Sequence, residues 1–341
     1  MKKNSISILS VLIIISLFSF SEETKIKPGI LKEEVEAEVT MVAVGDVMLS
    51  RTVGKRMQQY GYDYPFRKTE SFLRGADITF GNLETSITPG EPVRPYEMSF
   101  RADLEAAEAL QEAGFSILSL ANNHVPNFGK KGLLDTFEAL YKVGIEYVGA
   151  GRNSEEANRP VIITTKGIRF AFLAYNDPDV VPQVYEAGRV RAGTAFMRIE
   201  KMQEAVRAAR VQADIVIVSM HSGREYEEKP NKSQTEFARS AIDAGAEMVI
   251  GHHPHVVQTM EQYKGKYIFY SLGNFVFDQM WSFETRAGLA LKIFFTKKGV
   301  KKIDFYPTMI YDFAQPRLME KDGGKMVLQR LRYEEAENLS L

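Results

Sequence analysis

MVIGHHPH, residues 248–255, is an apolar run that stops at Gly251 and then delivers His252, His253 and His255. The run is short for a helix, and it reads as a strand buried on both faces. The same pattern recurs outward from it in both directions. VTMVAVGD (39–46), ITFGNLE (78–84), FSILSLANNH (115–124), IVIVSMH (215–221) and YIFYSLGN (267–274) are apolar runs that each end in polar residues. All five histidines of the chain, His124, His221, His252, His253 and His255, directly follow such runs. In α/β proteins the ends of parallel strands share one rim, and ligands bind there.

Helical patterns lie between the runs. Asp103 to Ala113, Lys130 to Val143 and Ser233 to Ala244 each precede a glycine, the residue favoured just past a helix end. Ser233 and Glu236 have capping-box spacing at the start of the third. Ile199 to Gln212 reads as a further helix. Val161 to Thr165 with Ile168 to Tyr175, and Leu289 to Thr296 with Val300 to Tyr306, read as hairpins, so the sheets are mixed. The fold class is α/β, with two packed mixed β-sheets flanked by helices in a four-layer α/β/β/α sandwich. Gly149-Ala150-Gly151 does not make a dinucleotide loop, because Ser154 takes the third glycine position and Pro160 cuts off the helix.

The chain has 341 residues, with 43 Lys and Arg against 44 Asp and Glu. That balance leaves no basic field for nucleic acid. Cysteine is absent, which excludes a disulfide framework, a thiolate metal site and a lipoprotein attachment site. Lys2 and Lys3 precede an apolar stretch from Ile6 to Phe20, too short for a comfortable membrane span. Residues 1–21 are therefore expected to be a signal peptide or an uncleaved anchor, with the body of the protein exported to the periplasm or cell surface. Residues 22–38, rich in Lys and Glu, form a spacer; the folded domain is expected over 39–307, with a C-terminal extension over 308–341. Lys325 to Tyr333 is the candidate for a terminal helix.

The polar strand ends are a donor set. Asp46, Asn82, Glu84, Asn123, His124, His221, His253 and His255 offer oxygen and imidazole nitrogen and no sulfur, which suits Mn, Fe, Zn or Mg. Asp46 and Glu84 supply the negative charge that a dication requires, and His253-Pro254-His255 can aim two rings at one ion. A two-metal centre would hold its ions about 3.5–4 Å apart and activate water. Competing structural readings exist for several of these residues. Asp46 could cap a helix, Asn82 and Asn123 could be turn formers with left-handed backbone, and Asn274 could be a strand-end turn. Arg51, Arg101 and Arg224 could grip a phosphate or carboxylate of a substrate, or make ordinary salt bridges. His252 has the weakest claim of the five histidines.

The order Asp, Asn, Asn-His, His, His-x-His resembles the calcineurin-like metallophosphoesterases. More closely, Thr40 to Phe277 resembles the CapA (PgsA) family of capsule and poly-γ-glutamate synthesis proteins. The segments that carry the resemblance are VGDVMLSR (44–51), GNLETSIT (81–88), SLANNHVPNFGKKGLLDT (119–136), HSGREY (221–226), GHHPHVVQ (251–258) and YSLGNFVFDQ (270–279). Four positions depart from those patterns. Met48 stands where the phosphoesterases have a histidine, Asn82 or Glu84 must serve for a bridging aspartate, Asn127 replaces an aspartate and Ser222 a tryptophan. The resemblance implies that Asn123 is a metal ligand and His124 the acid that protonates a leaving group. His221, His253 and His255 complete the metal shell, with Asn82, Asn274 and His252 as further candidates.

Two functions are consistent with this sequence. One is an exported metal-dependent hydrolase acting on a phosphoester or an envelope polymer through metal-activated water, in company with a capsule-synthesis membrane complex. The other is a non-catalytic polymer-binding or export accessory on a degenerate phosphoesterase scaffold.

Overall fold

Pleating sends successive side chains to opposite faces, and the apolar runs use both. Along Val39–Val47, Met41 and Ala43 face one core while Val42 and Val44 face another. A strand buried on both sides needs a layer on each. The computed structural model, which describes residues 37–94 and 98–331, supplies them. The expected signal segment, most of the spacer and the last ten residues lie outside the described residues.

Two principal sheets form. The first has eight strands, with Gln315–Leu318, Gly299–Tyr311, Ala287–Thr296, Val39–Val47, Ile78–Leu83, Ile117–Ser119 and Glu146–Val148 side by side. Asn274–Val276 adds to it, parallel to Val39–Val47. The second has six, in the order Met260–Tyr263, Lys266–Phe269, Met248–His252, Ile215–His221, Ile168–Asn176 and Val161–Thr165. The central strands of both sheets run parallel, and the expected hairpins supply antiparallel strands at their sides. Met41, Ile78 and Phe80 of the first sheet pack on Phe172, Ile217 and Ile250 of the second, and Phe80 stacks on Phe172 with centroids 5.8 Å apart. Outside, Val53, Leu110 and Phe137 cover the first sheet, and Val206, Phe237 and Ala241 cover the second. Each such fully buried Val, Leu or Phe side chain contributes about 1.5–3 kcal/mol. The four layers are those read from the sequence.

Two readings need correction. The capping box at Lys232–Ala244 is made by Asn231 and Gln234, not by Ser233 and Glu236. Ser233 instead turns its hydroxyl to Asp177. The strand expected to end near Tyr306 continues as Gly299–Tyr311, so position 307 falls inside it, and Gln315–Leu318 pairs on it. A helix follows at Lys321–Arg330.

The rim of the first sheet depends on close backbone packing at Gly45. The Asp46 amide donates to the Gly273 carbonyl at 3.0 Å. A Cβ on Gly45 would sit 1.9 Å from that same oxygen. Backbone cannot swing aside as a side chain can. Gly45→Ala is therefore expected to destabilise the protein by about 3 kcal/mol, the upper end of overpacking costs. Urea unfolding with an unchanged midpoint would show that the strand ends can spread.

Candidate metal centre

The strand ends deliver the candidates to one place. Asp46 is the penultimate residue of Val39–Val47 and pairs in register with Asn82 on one side and Asn274 on the other. Glu84 directly follows Ile78–Leu83, Asn122 to His124 follow Ile117–Ser119, and His221 ends its strand beside His252. His253 and His255 leave the next strand end in left-handed backbone, at φ 100° and 58°. Such conformations cost a non-glycine residue about 1–2 kcal/mol and cluster at functional sites. Asn82 and Asn123 do not have the left-handed backbone that the turn reading required. Asp46 lies within a strand and caps no helix; the N-cap of Arg51–Tyr60 is Ser50.

The cluster is buried. Asp46, Asn82 and Glu84 are inaccessible to solvent, and His221, His253 and His255 nearly so. Asn82 donates to Asp46 Oδ1 at 2.9 Å, and its Nδ2 lies 3.3 Å from His221 Nδ1. His221 Nε2 lies 2.9 Å from Asn123 Oδ1 and 3.1 Å from His253 Nδ1. His255 Nδ1 lies 2.9 Å from Asn274 Oδ1 and 3.4 Å from Asp46 Oδ2. Donor atoms of Asp46, Glu84 and His221 all fall within 4.8 Å of one another.

Glu84 is the anomaly. Both of its carboxylate oxygens are buried and accept no hydrogen bond. The His124 ring stands near it, with Nε2 3.8 Å from Oε1. Burial, then the Asp46 charge, pushes the Glu84 carboxyl well above the usual range. Burial also lowers His221 well below the ordinary histidine value, reinforced by neighbouring imidazoles, and takes His253 down to about 3. His255 goes the other way: burial opposes its charge, but Glu84 and Asp46 outweigh that and raise it to about 9. Asp46 is lowered; burial works against it, and the hydrogen bond and charge of His255, with the His252 charge, overcome it. The neutral imidazoles of His221 and His253, the Asp46 and Glu84 carboxyls and amide oxygens, with no sulfur, are a donor set for a divalent cation, which His255 joins on giving up its proton. The residues fit one.

Supporting groups fix these donors. Asn274 donates through Nδ2 to Gln279 Oε1 at 3.1 Å and to the Thr285 carbonyl at 2.9 Å. That orients its Oδ1 toward His255. Outer partners of this kind are worth about 10–100-fold in metal affinity. Asn274→Ala is expected to weaken Mn²⁺ binding by that factor, read by calorimetric titration; an unchanged affinity would remove His255 from the centre. Asn122 satisfies Asn82 Oδ1 and the Leu83 carbonyl with its amide, and accepts from the His124 and Val125 amides. The asparagine doublet gave a signal for it, but only Asn123 was singled out from sequence.

The remaining candidates divide. His124 stacks on Phe100 at 3.9 Å, and its Nδ1 lies 2.9 Å from Asn127 Oδ1. Burial lowers it to about 4, against its hydrogen bonds to Asn127 and to the Met98 backbone, and its Nε2 lies toward Glu84. To act as an acid it must first take a proton at Nε2. His252 is a packed core residue: its Nδ1 faces Ser219 Oγ at 3.4 Å and its Nε2 the Val44 carbonyl at 3.3 Å. Met48 turns its sulfur to the Ser50 amide at 3.0 Å and packs in the outer core. Arg51 pairs with Asp278 and lies over Phe100 and Phe277. Arg101 and Arg224 are exposed. Nothing in the sequence marked Phe100 as a wall, and Asp278 and Gln279 stood in the YSLGNFVFDQ segment without a role assigned to them.

Comparison with known proteins shows the family and the fold. The family model described as bacterial capsule synthesis protein PGA_cap matches residues 40–279. The capsule biosynthesis protein CapA of Bacillus anthracis is 35% identical over 291 residues, 83% of this chain and 70% of that one. The PGA biosynthesis protein CapA of Bacillus subtilis is 32% identical over 317 residues, covering 92% and 82%. Among solved structures, a putative 5′-nucleotidase from Staphylococcus aureus aligns with TM-score 0.51 and 15% identity, over 86% of this chain and 58% of that one, which shows a shared fold. The family match spans the strands that carry every proposed donor, and the chain belongs to the CapA (PGA_cap) family of bacterial capsule synthesis proteins.

Proposed function

We propose that the protein is an exported, metal-dependent hydrolase of capsule polymer synthesis, acting on a phosphoester or an amide of an envelope polymer. The observation that carries this reading is Glu84, a buried carboxylate with no hydrogen bond on either oxygen, set beside Asp46 and His221. Burying an unpaired carboxylate costs several kcal/mol, and buried charges are normally paired or bound to metal. Asp46, Glu84, Asn123, His221, His253 and His255 are the residues that hold the cation, with Mn, Zn, Fe and Mg all suited to their oxygen and nitrogen donors. A divalent cation there lowers the pKa of water and neutralises charge developing on the substrate.

The chain's own residues do the rest. Asn82 and Asn122 lock Asp46 and the 122–124 turn in place. The buried surroundings exclude bulk water. His124, once protonated at Nε2, faces the cluster with a proton for a leaving group. Export rests on Lys2, Lys3 and the apolar stretch 6–20, and a capsule-synthesis membrane complex is the setting in which such a hydrolase would trim or release polymer.

Protein purified with Mn or Zn present is expected to retain metal and to turn over phosphodiester or γ-glutamyl substrates until chelator is added. Failure to retain metal under those conditions would overturn the reading. A second reading, a non-catalytic accessory on the same scaffold, is favoured by Met48 and Asn82. Met48 sulfur is committed to Ser50, and the Asn82 amide is committed to Asp46. Secreted variants lacking His221 separate the two.

A further inference from the structure

We propose that a cavity beside the metal centre is an oxyanion subsite, which takes a carboxylate or phosphate of the unit next to the scissile bond. The cavity holds about 260 Å³, and its lining carries Arg51, Lys55 and Arg101 together with one carboxylate, Asp103. Three cations converge on it. Arg51 and Lys55 lie one turn apart on Arg51–Tyr60, a like-charge spacing that destabilises a helix. Arg101 is brought in from a strand fifty residues away: its amide donates to Ser50 Oγ at 3.0 Å. That hydroxyl sits at the helix N-cap yet caps nothing in its own helix.

The nearby carboxylates leave this charge only partly neutralised. Asp278 is committed to Arg51 and the Thr52 amide. Asp103 accepts from Gln58 at 2.8 Å and Tyr62 at 3.0 Å, with Arg101 contributing only through its field. The Lys55 and Arg101 side chains make no ion pair or hydrogen bond among the described residues. Retained repulsion of this kind is relieved by an anion. The volume is many times the roughly 10–15 Å³ that a single water needs, so it admits a charged polymer unit and not only solvent.

Arg51, which lines the cavity, reaches toward the metal centre through two aromatic rings. Arg51 carries its guanidinium carbon 4.7 Å from the Phe100 ring and 5.6 Å from the Phe277 ring. Phe100 in turn stacks on His124 at 3.9 Å, and Phe277 lies 4.7 Å from His255. Arg51 itself adopts φ 50°, strained backbone for a residue that size, at the point where the helix begins. A substrate whose reacting bond lies at the centre would thus place its neighbouring unit against Lys55 and Arg101. The subsite rests on the hydrolase reading for its meaning, though not for its detection.

Calorimetric titration of the full chain tests it with three probes: a penta-γ-glutamyl peptide, its fully amidated counterpart and inorganic phosphate. The acidic peptide is expected to bind, with affinity falling tenfold or more in Lys55→Gln and further in Lys55→Gln/Arg101→Gln. The amidated peptide should bind the unaltered chain as weakly as the acidic peptide binds the double variant. Phosphate that binds more tightly than the peptide and is lost in the same variants assigns the subsite to a phosphate-bearing unit. Equal affinities in the unaltered chain and the variants, or no binding of either anion, would overturn the subsite. Mn²⁺ titration runs in parallel. Its retention in the variants shows an intact centre, and its absence from the unaltered chain would sink the hydrolase reading while leaving the anion result to stand alone.

Discussion

Glu84→Met stabilises the metal-free protein and abolishes its thermal response to divalent cations. The expectation follows from two facts about one side chain: Glu84 is inaccessible to solvent, and neither oxygen accepts a hydrogen bond. Leaving such a group unsatisfied costs about 1–3 kcal/mol or more when it is charged. Methionine fills a similar volume without that penalty and adapts to irregular space. A gain of about 1–3 kcal/mol in chelator is therefore expected, with a rise in Tm of a few degrees for a domain this large. With Mn²⁺ added, the unaltered chain should rise in Tm and the variant should not, because ligand stabilises only a state that binds it. Loss of stability in chelator would show that Glu84 has a protein partner. An equal metal response in both would remove it from the centre.

His221→Ala has the second large effect. The imidazole sits between the two halves of the cluster, 2.9 Å from Asn123 Oδ1 and 3.1 Å from His253 Nδ1. Outer partners of a metal cost about 10–100-fold in affinity, and a residue contacting the ion directly should exceed that. Metal affinity is expected to fall by more than about 100-fold on that comparison, with hydrolysis and polymer output lost together. The fold should survive, because His221 is pushed far toward neutrality by burial and takes no part in an ion pair. Secreted, folded His221→Ala protein that still supports polymer output would select the accessory reading instead.

Much of the fold was legible because the signals were strong and local. Continuous apolar runs such as Ile215–His221 can be buried only between two layers, and they were. Glycines after helices worked as expected: Gly114 and Gly245 end their helices in left-handed backbone. The capping box was misplaced because Ser233 and Glu236 match the pattern as well as Asn231 and Gln234 do. Which pair forms depends on where the chain enters the helix, a tertiary matter. The long strand through Pro307 was also missed, since proline argues against a central strand but is tolerated near an edge.

The site was legible as a set of types and less so as a set of roles. Histidines after strands predicted a rim, and the rim gathered His221, His253 and His255 while leaving His252 in the core between Ser219 and Val44. Strand alternation separates His252 from its neighbour, and that distinction needs the register. His124 was read as an acid, but its protonation depends on burial and on Asn127, neither visible in the motif. The same is true of Lys55, which reads in sequence as one more surface cation of a helix.

The central claim is that this rim is a metal centre. A crystal of the chain grown with Mn²⁺, with anomalous scattering recorded above the manganese edge, tests it most directly. The account predicts at least one peak within bonding distance of His221 and His253 and a Glu84 oxygen turned to an ion. A map with no anomalous peak among Asp46, Glu84, Asn123, His221, His253 and His255 would contradict it.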